Sequence, residues 1–247
     1  LLKLSHNVLK KKMDKIIKNK NYLNVTYSEE IAPKGDYPLL LSKWLLKKVY
    51  KTPGQILDLG CGRGDYLDAF DSLGFNVRGA DISPNVSELK SDFFVQKINF
   101  EEDTIPFNKN RFDYVFSKSV VEHMENPSNL LDIAYDGLKP GGKAVIMTPS
   151  WEHTYWGPFY IDHTHITPFT AASLKNLLEM VGFENVEVKY FYQLPFLWKF
   201  PIFKPLVKLF AKIPLPYRPF KKAPWPGGFN KTIRFSKEVM LLATATK

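Results

Sequence analysis

The sequence predicts an α/β fold: a mostly parallel seven-stranded sheet with helices on both faces, N-terminal helices, and a basic aromatic insertion between the last two strands. Three observations predict it. Short apolar runs alternate with segments of helical period through the middle of the chain. A glycine-rich turn follows the first of these runs, and an acid ends the second, 21 residues beyond the first glycine of that turn. A chain of 247 residues, 45% hydrophobic, can bury the core such a sheet needs as one domain.

The elements follow in order. Residues 1–20 place Leu4, Val8, Leu9, Met13, Ile16 and Ile17 near a 3.6-residue period with Lys between them, which predicts an amphipathic helix. A second helix is expected from Tyr37 to Tyr50, stopped by Thr52-Pro53-Gly54. Strands are expected at Gln55–Leu59, Asn76–Ala80, Phe93–Ile98, Phe112–Ser117 and Lys143–Met147, with helices over Asp65–Leu73 and Pro127–Leu138 between them. Thr170 reads as the N-cap of a helix ending at Val181 with Gly182 as its C-cap. A sixth strand is expected at Glu184–Phe191 and a seventh at Phe235–Thr244. Residues 1–52 thus read as a helical lead-in and 53–247 as the sheet domain, with the insertion at about 192–230.

Composition narrows the setting. Cys61 is the single cysteine, so an internal disulfide is excluded and a reducing, cytoplasmic compartment is expected. No run approaches 18 apolar residues, as a bilayer-spanning helix would require. Leu1-Leu2-Lys3 does not read as a signal peptide. Charge is segregated along the chain. Residues 1–20 carry seven Lys against Asp14, residues 188–237 carry eleven Lys or Arg and no acid, and the stretch between is net acidic.

The chemistry concentrates at Asp58-Leu59-Gly60-Cys61-Gly62-Arg63-Gly64. Glycines at 60, 62 and 64 let the backbone turn tightly and approach a ligand at the N-terminus of the next helix. Asp81 ends the second strand, where an acid can accept both hydroxyls of a ribose. The arrangement is Rossmann-like, yet it departs from the dinucleotide fingerprint. The position of that fingerprint's third glycine holds Asp65, and Asp58 would repel a pyrophosphate while suiting a cationic amino group.

Residues 55–182 resemble the class I S-adenosylmethionine (SAM)-dependent methyltransferases, of the small-molecule and ubiquinone-biosynthesis type. The resemblance rests on Asp58 to Gly64, Asp81, Ile105-Pro106-Phe107 before Phe112-Asp113-Tyr114-Val115, Glu122-His123, and Leu138-Lys139-Pro140-Gly141-Gly142. It implies SAM as cofactor, held by Asp58, Gly60, Cys61, Gly62, Gly64, Asp81, Ile82, Asn99, Phe100 and Ser117. Asn99 stands where the family carries an Asp facing the adenine amino group; its amide oxygen can accept the same bond, and Glu101 is the competing choice. Lys118 stands where many relatives have a smaller residue and is expected to face solvent.

Methyl transfer to a hydroxyl needs an aligned acceptor and a base for its proton. His123, His153, His163 and His165 lie where such a base belongs, and the candidates taken forward are His163, His165 and His123. Asp162 to Thr170 resembles the family segment before the helix that covers the substrate pocket, and Trp151, Tyr155, Trp156 and Tyr160 read as a substrate wall. His153, Asp162, His163 and His165 could also ligate a metal, but no metal site is expected.

The insertion interleaves aromatic residues with Lys and Arg and holds eight of the 18 prolines. It reads as a lid over the site, as a peripheral contact with an anionic membrane surface, or as a nucleic-acid contact, the last being disfavoured because no recognisable module accompanies it. The expectation is a methyltransferase acting on a small or lipid-linked acceptor, with a hydroxyl, and among hydroxyls a saccharide's, favoured. The alternative is a non-catalytic SAM-binding protein that docks on membranes.

Overall fold

A computed structural model describes residues 35–83, 93–102, 107–156, 158–213 and 228–247. The expected helix over residues 1–20 lies outside the described residues. Helix α1 spans Tyr37–Leu45 and continues as a wider π turn, Leu46–Tyr50. Then follow β1 (Gln55–Leu59), α2 (Asp65–Asp71), β2 (Asn76–Asp81), β3 (Phe94–Lys97), β4 (Phe112–Lys118), α3 (Pro127–Gly137) and β5 (Leu138–Pro149). The rest of the chain forms α4 (Trp151–Thr154), α5 (Ala171–Val181), β6 (Glu184–Tyr192), α6 (Pro195–Lys199), α7 (Lys204–Ala211), α8 (Gly228–Lys237) and β7 (Val239–Thr246).

The seven strands form one sheet in the order β3-β2-β1-β4-β5-β7-β6. Pairs among β1 to β5 are parallel, and β7 runs antiparallel to both of its neighbours. Side chains on the central strands alternate between two buried faces. Leu57, Leu59, Val115, Ala144 and Ile146 pack under α3 and α5 with Leu130, Leu131, Leu174 and Leu178. Ile56, Phe116, Val145 and Met147 pack on the other face with Leu41 and Leu45 of α1 and Leu67 and Phe70 of α2. Both faces are therefore covered, as the strands' near-continuous apolar character requires.

The chain order reverses between β1 and β4, and the crevice outside their C-terminal ends is where such sheets take ligands. Because β7 runs antiparallel to β5, with Pro149 opposite Met240, its first residues lie at that same edge. Tyr192 pairs with Val239, so β6 also ends there. The insertion between them consequently emerges on the ligand edge of the sheet.

Two boundaries differ from the sequence expectation by more than two residues. The last strand begins at Val239, not Phe235, and the preceding residues form α8, which carries the insertion on to Glu238. Ile233 and Ser236, three apart, are buried together, and Arg234 pairs with Glu238 four residues on. Helical spacing thus governs the residues up to Glu238. Strand β5 begins at Leu138, not Lys143, because Leu138 already pairs with Phe112 across a register shift. The expected start at Thr170 and stop at Gly182 appear as a reciprocal cap between Thr170 and Ser173 and a left-handed Gly182.

Candidate active site

The turn after β1 is built on positive φ angles at Gly60, Gly62 and Gly64, of 84°, 50° and 79°. A side chain at Gly60 is sterically excluded, since its Cβ would lie 2.1 Å from Val120 Cγ2. Gly62 differs: nothing lies within 4 Å of its would-be Cβ, so the turn presents bare backbone to open space. Asp81 holds this turn in place. Its two carboxylate oxygens accept the amide hydrogens of Gly62 and Ser83 at 2.8 and 2.7 Å. Each oxygen retains lone-pair capacity for a further donor, such as a ribose hydroxyl.

Asp58 is buried at 2% exposure, and its Oδ2 has no hydrogen-bond partner. Burial first, and then the charge of Asp81, raise its pKa well above the usual carboxylate range. A buried, orphaned carboxyl oxygen beside a glycine turn is a costly feature that a cationic ligand group would offset. Both observations fit SAM, whose amino acid end carries an ammonium group.

The remaining expected cofactor contacts divide. The Cys61 side chain is buried in the space that the missing Cβ of Gly79 leaves, so this residue serves the turn through its backbone, and burial raises its thiol pKa. Ser117 is buried and donates from Oγ to the Leu59 carbonyl, locking the end of β4 to the end of β1. Phe100 belongs to the core beside Ile98, while Asn99 and Ile82 are half-buried. The Glu101 oxygens accept from the amides of Glu125 and Asn126, and Asn99 Oδ1 accepts the Glu101 amide at 3.2 Å.

Beyond β4 the chain makes a 3-10 turn, Val121–His123, and a second cluster forms there. Glu122 is fully buried; its Oε2 accepts from Thr148 Oγ1 at 2.9 Å, and its Oε1 has no partner within hydrogen-bond distance. Burial pushes the Glu122 carboxyl up to about 7. Its backbone carbonyl accepts the amides of Ile166 and Thr167, which brings the loop before α5 against it. That loop delivers His165, whose Nε2 lies 4.0 Å from Glu122 Oε1. The His165 Nδ1 is 2.6 Å from the Phe159 carbonyl, an acceptor only, so Nδ1 carries the hydrogen and Nε2 the lone pair. His123 packs edge-on against His165, ring centres 4.7 Å apart, and its Nδ1 lies 2.9 Å from Thr164 Oγ1 and 3.3 Å from the Thr164 carbonyl. Burial, followed by the charge of His165, lowers the His123 pKa to about 4.

The structure therefore joins two of the three expected histidines. His163 is exposed and has no observed contact with His123 or His165. His153 sits apart, on Ser150 Oγ and the Tyr190 ring. Of the four aromatics expected as a wall, Trp151 touches Tyr155 and Tyr160, whereas Trp156 lies against the Lys237 ammonium; Phe159 joins them, packing on Trp151 and on His165 at 4.8 Å. Glu122 is the residue whose weight the sequence understated. The signal was an acid directly beside a histidine at a strand end. Lys118 is half-buried, not solvent-facing; burial lowers its pKa, and Glu122 and Glu238 oppose that shift.

One ligand atom each from Glu122, His123 and His165 falls within 4.8 Å of the others, a grouping able to gather round an ion. The 4.0 Å between His165 Nε2 and Glu122 Oε1 exceeds the roughly 3.4 Å expected of tetrahedral ligands 2.1 Å from a metal. The spacing is also beyond a direct hydrogen bond and leaves room for a polar atom bridging the two groups.

A seven-stranded sheet of this order, with a glycine turn and paired acids at its switch point, defines a SAM-dependent methyltransferase fold. The family model described as "Methyltransferase domain" matches residues 34–188, and the chain belongs to that family, within the class I SAM-dependent methyltransferases. Among curated proteins, the chain is 30% identical over 161 residues to phosphoethanolamine N-methyltransferase 2 of Caenorhabditis elegans, covering 56% of this chain and 34% of that one. It is 29% identical over 130 residues to the ubiquinone biosynthesis O-methyltransferase of Shewanella pealeana, covering 47% of this chain and 55% of that one. The matches thus span a third to about half the length of these two relatives. A SAM-dependent methyltransferase from Archaeoglobus fulgidus superposes with a TM-score of 0.59 at 22% identity, over 91% of this chain and 99% of that one. Phosphoethanolamine N-methyltransferase 2 of Haemonchus contortus, solved with S-adenosylhomocysteine, gives 0.60 at 20%, over 92% and 59%. At these identities the superpositions establish the fold.

Proposed function

We propose that this chain transfers a methyl group from SAM to a hydroxyl of a small or lipid-linked acceptor, a saccharide hydroxyl among them. The observation that carries this reading is the meeting of Glu122, His123 and His165 beside the Phe159 and Trp151 wall, a few residues beyond the strand end that closes on the glycine turn. SAM, when bound, supplies a sulfonium methyl group open to in-line attack. Asp58 would receive its ammonium group, Asp81 its ribose and Asn99 its adenine, the bare backbone at Gly62 allowing close approach.

On the acceptor side His165 is the proton acceptor. Its Nδ1–H is committed to the Phe159 carbonyl, which directs a basic Nε2 toward Glu122. Nε2 would take the proton of the acceptor hydroxyl, whose oxygen would gain the methyl group that bound SAM supplies, with S-adenosylhomocysteine as the other product. The Glu122 carboxyl stabilises the resulting imidazolium, and Thr148 keeps that carboxyl oriented. His123, neutral near pH 7, fixes the His165 ring by edge contact. His163, exposed and apart, is given no proton in this scheme. A lipid-linked acceptor would be met at an anionic membrane surface, where a basic face is an advantage.

The test is transfer of isotope-labelled methyl from SAM to a panel of hydroxyl, amine and thiol acceptors. Label on oxygen, with turnover cut by about 10²–10⁴-fold in His165→Gln and SAM affinity unchanged, supports the reading. Label confined to nitrogen or sulfur, or full turnover in that variant, contradicts it.

A further inference from the structure

We infer that the exposed face of α7, with the residues that lead into and out of it, is an interfacial docking surface for an anionic lipid bilayer. The inference rests on the lipid-linked arm of the acceptor reading and adds the surface that would serve it. Ile202, Leu206, Leu209 and Ile213 are exposed at 82, 62, 65 and 43%. Leu206 and Leu209, three apart, share one face of α7, with Ile202 in the 3-10 turn before it and Ile213 just past its end. Phe200 and Phe203, exposed at 56 and 45%, extend the stripe at its N-terminal end. Exposed apolar residues scattered singly need no explanation, but a contiguous ridge on one helical face does.

Charge selects the partner. Lys204, Lys208 and Lys212 recur every four residues on the flank of α7 turned away from the apolar stripe, all exposed. No acid occurs anywhere from residue 188 to 237. Between α7 and β6 a groove is lined by Lys189, Lys204 and Lys208 with Tyr190 and Tyr192. Apolar side chains that enter the acyl boundary while Lys heads stay among anionic phosphates describe a helix lying in the interface plane. A helix meant only to cover a neutral pocket would need neither the Lys row nor an outward apolar stripe.

The ridge is firmly mounted. On its inner side Val207 is buried with Leu194, Leu197, Tyr192 and Val239. Trp198 of α6 packs on Tyr37 and Trp44 of α1, and Lys237 donates to the Ile213 carbonyl at 2.9 Å. Since the insertion emerges at the ligand edge of the sheet, docking by this face brings the acceptor entrance to the headgroup layer. The Lys237 ammonium also lies 5.3 Å from the Trp156 ring, tying the insertion to the loop that carries the aromatic wall.

The experiment is flotation with phosphatidylcholine vesicles, with and without phosphatidylglycerol, at low salt. The wild type should bind the phosphatidylglycerol vesicles and leave them at 1 M salt, where the Debye length is about 3 Å. Leu206→Ser/Leu209→Ser should lower partitioning at least about tenfold, since both apolar side chains leave the acyl boundary. Lys204→Gln/Lys208→Gln/Lys212→Gln should do the same, and SAM affinity should hold in both variants as evidence of an intact fold. Failure of the wild type to bind, or equal binding to phosphatidylcholine alone, overturns the inference. So does a wild-type dimer in solution that Leu206→Ser/Leu209→Ser returns to monomer without any vesicle binding, because the ridge is then a self-interface. Lost vesicle binding with oxygen methylation intact defeats this inference alone, whereas vesicle binding without oxygen methylation defeats only the acceptor reading.

Discussion

His165 Nε2 faces Glu122 Oε1 across 4.0 Å, with the imidazole's other nitrogen committed to the Phe159 carbonyl. A fully buried carboxyl with one unpartnered oxygen is poorly tolerated as an anion, and burial lifts its pKa to about 7. The imidazole lies beyond hydrogen-bond reach of that carboxyl, which Thr148 holds in place.

A pH dependence of stability follows. Glu122 holds its proton in the folded state between its ordinary value near 4.5 and about 7, whereas the unfolded chain has released it. The folded state binds more protons there, so stability contributed by this site falls as pH rises through that window, by up to about 3 kcal/mol. Glu122→Gln removes the term. Denaturant titrations should find the variant gaining on wild type from pH 5 to pH 8. A difference between the two that does not vary with pH would contradict the buried, proton-bearing carboxyl.

His123 has the opposite sign. Its pKa falls from 6.5 to about 4 through burial, so the unfolded chain takes up a proton first as pH drops. Its contribution is complete above about 6.5 and lost as pH falls through 4, again by up to about 3 kcal/mol. His123→Gln should flatten the acid limb of the stability curve. An unchanged acid limb would mean that His123 is not held neutral by the fold.

Asp58 links cofactor binding to protons. Burial and the neighbouring Asp81 disfavour its anion, and a cationic ligand group would restore it. SAM binding should then release protons, seen calorimetrically as a binding enthalpy that shifts with the buffer's ionisation enthalpy. Asp58→Asn should abolish the shift. Buffer-independent enthalpy in the wild type would place the ammonium elsewhere.

Much of this was legible in the sequence because it is local. Gln55–Leu59 is a strand with the expected bounds, and the glycine turn and Asp81 fall together at the sheet's switch point. What was not legible depends on contacts far apart in sequence. Glu122 acquires its role from Thr148 and from His165, 43 residues on, and no local pattern distinguishes a buried glutamate from a solvated one. His163 and His165 look equivalent in a His-x-His motif, yet only His165 is turned inward, by the Phe159 carbonyl. The last strand begins at Val239 and not Phe235 because the burial of Ile233 with Ser236 follows helical spacing up to that point.

The measurement that tests the central claim most directly is a calorimetric titration of the protein with SAM, alongside NAD, for wild type and Asp81→Ala. Asp81 anchors the turn through Gly62 and Ser83 and is the assigned partner of the ribose. The account predicts SAM binding by the wild type and no tight NAD binding. The variant should lose about 1.5–3 kcal/mol of SAM affinity, the range for hydrogen bonds to a charged group. Unchanged SAM affinity in Asp81→Ala, or tight NAD binding by the wild type, would contradict it.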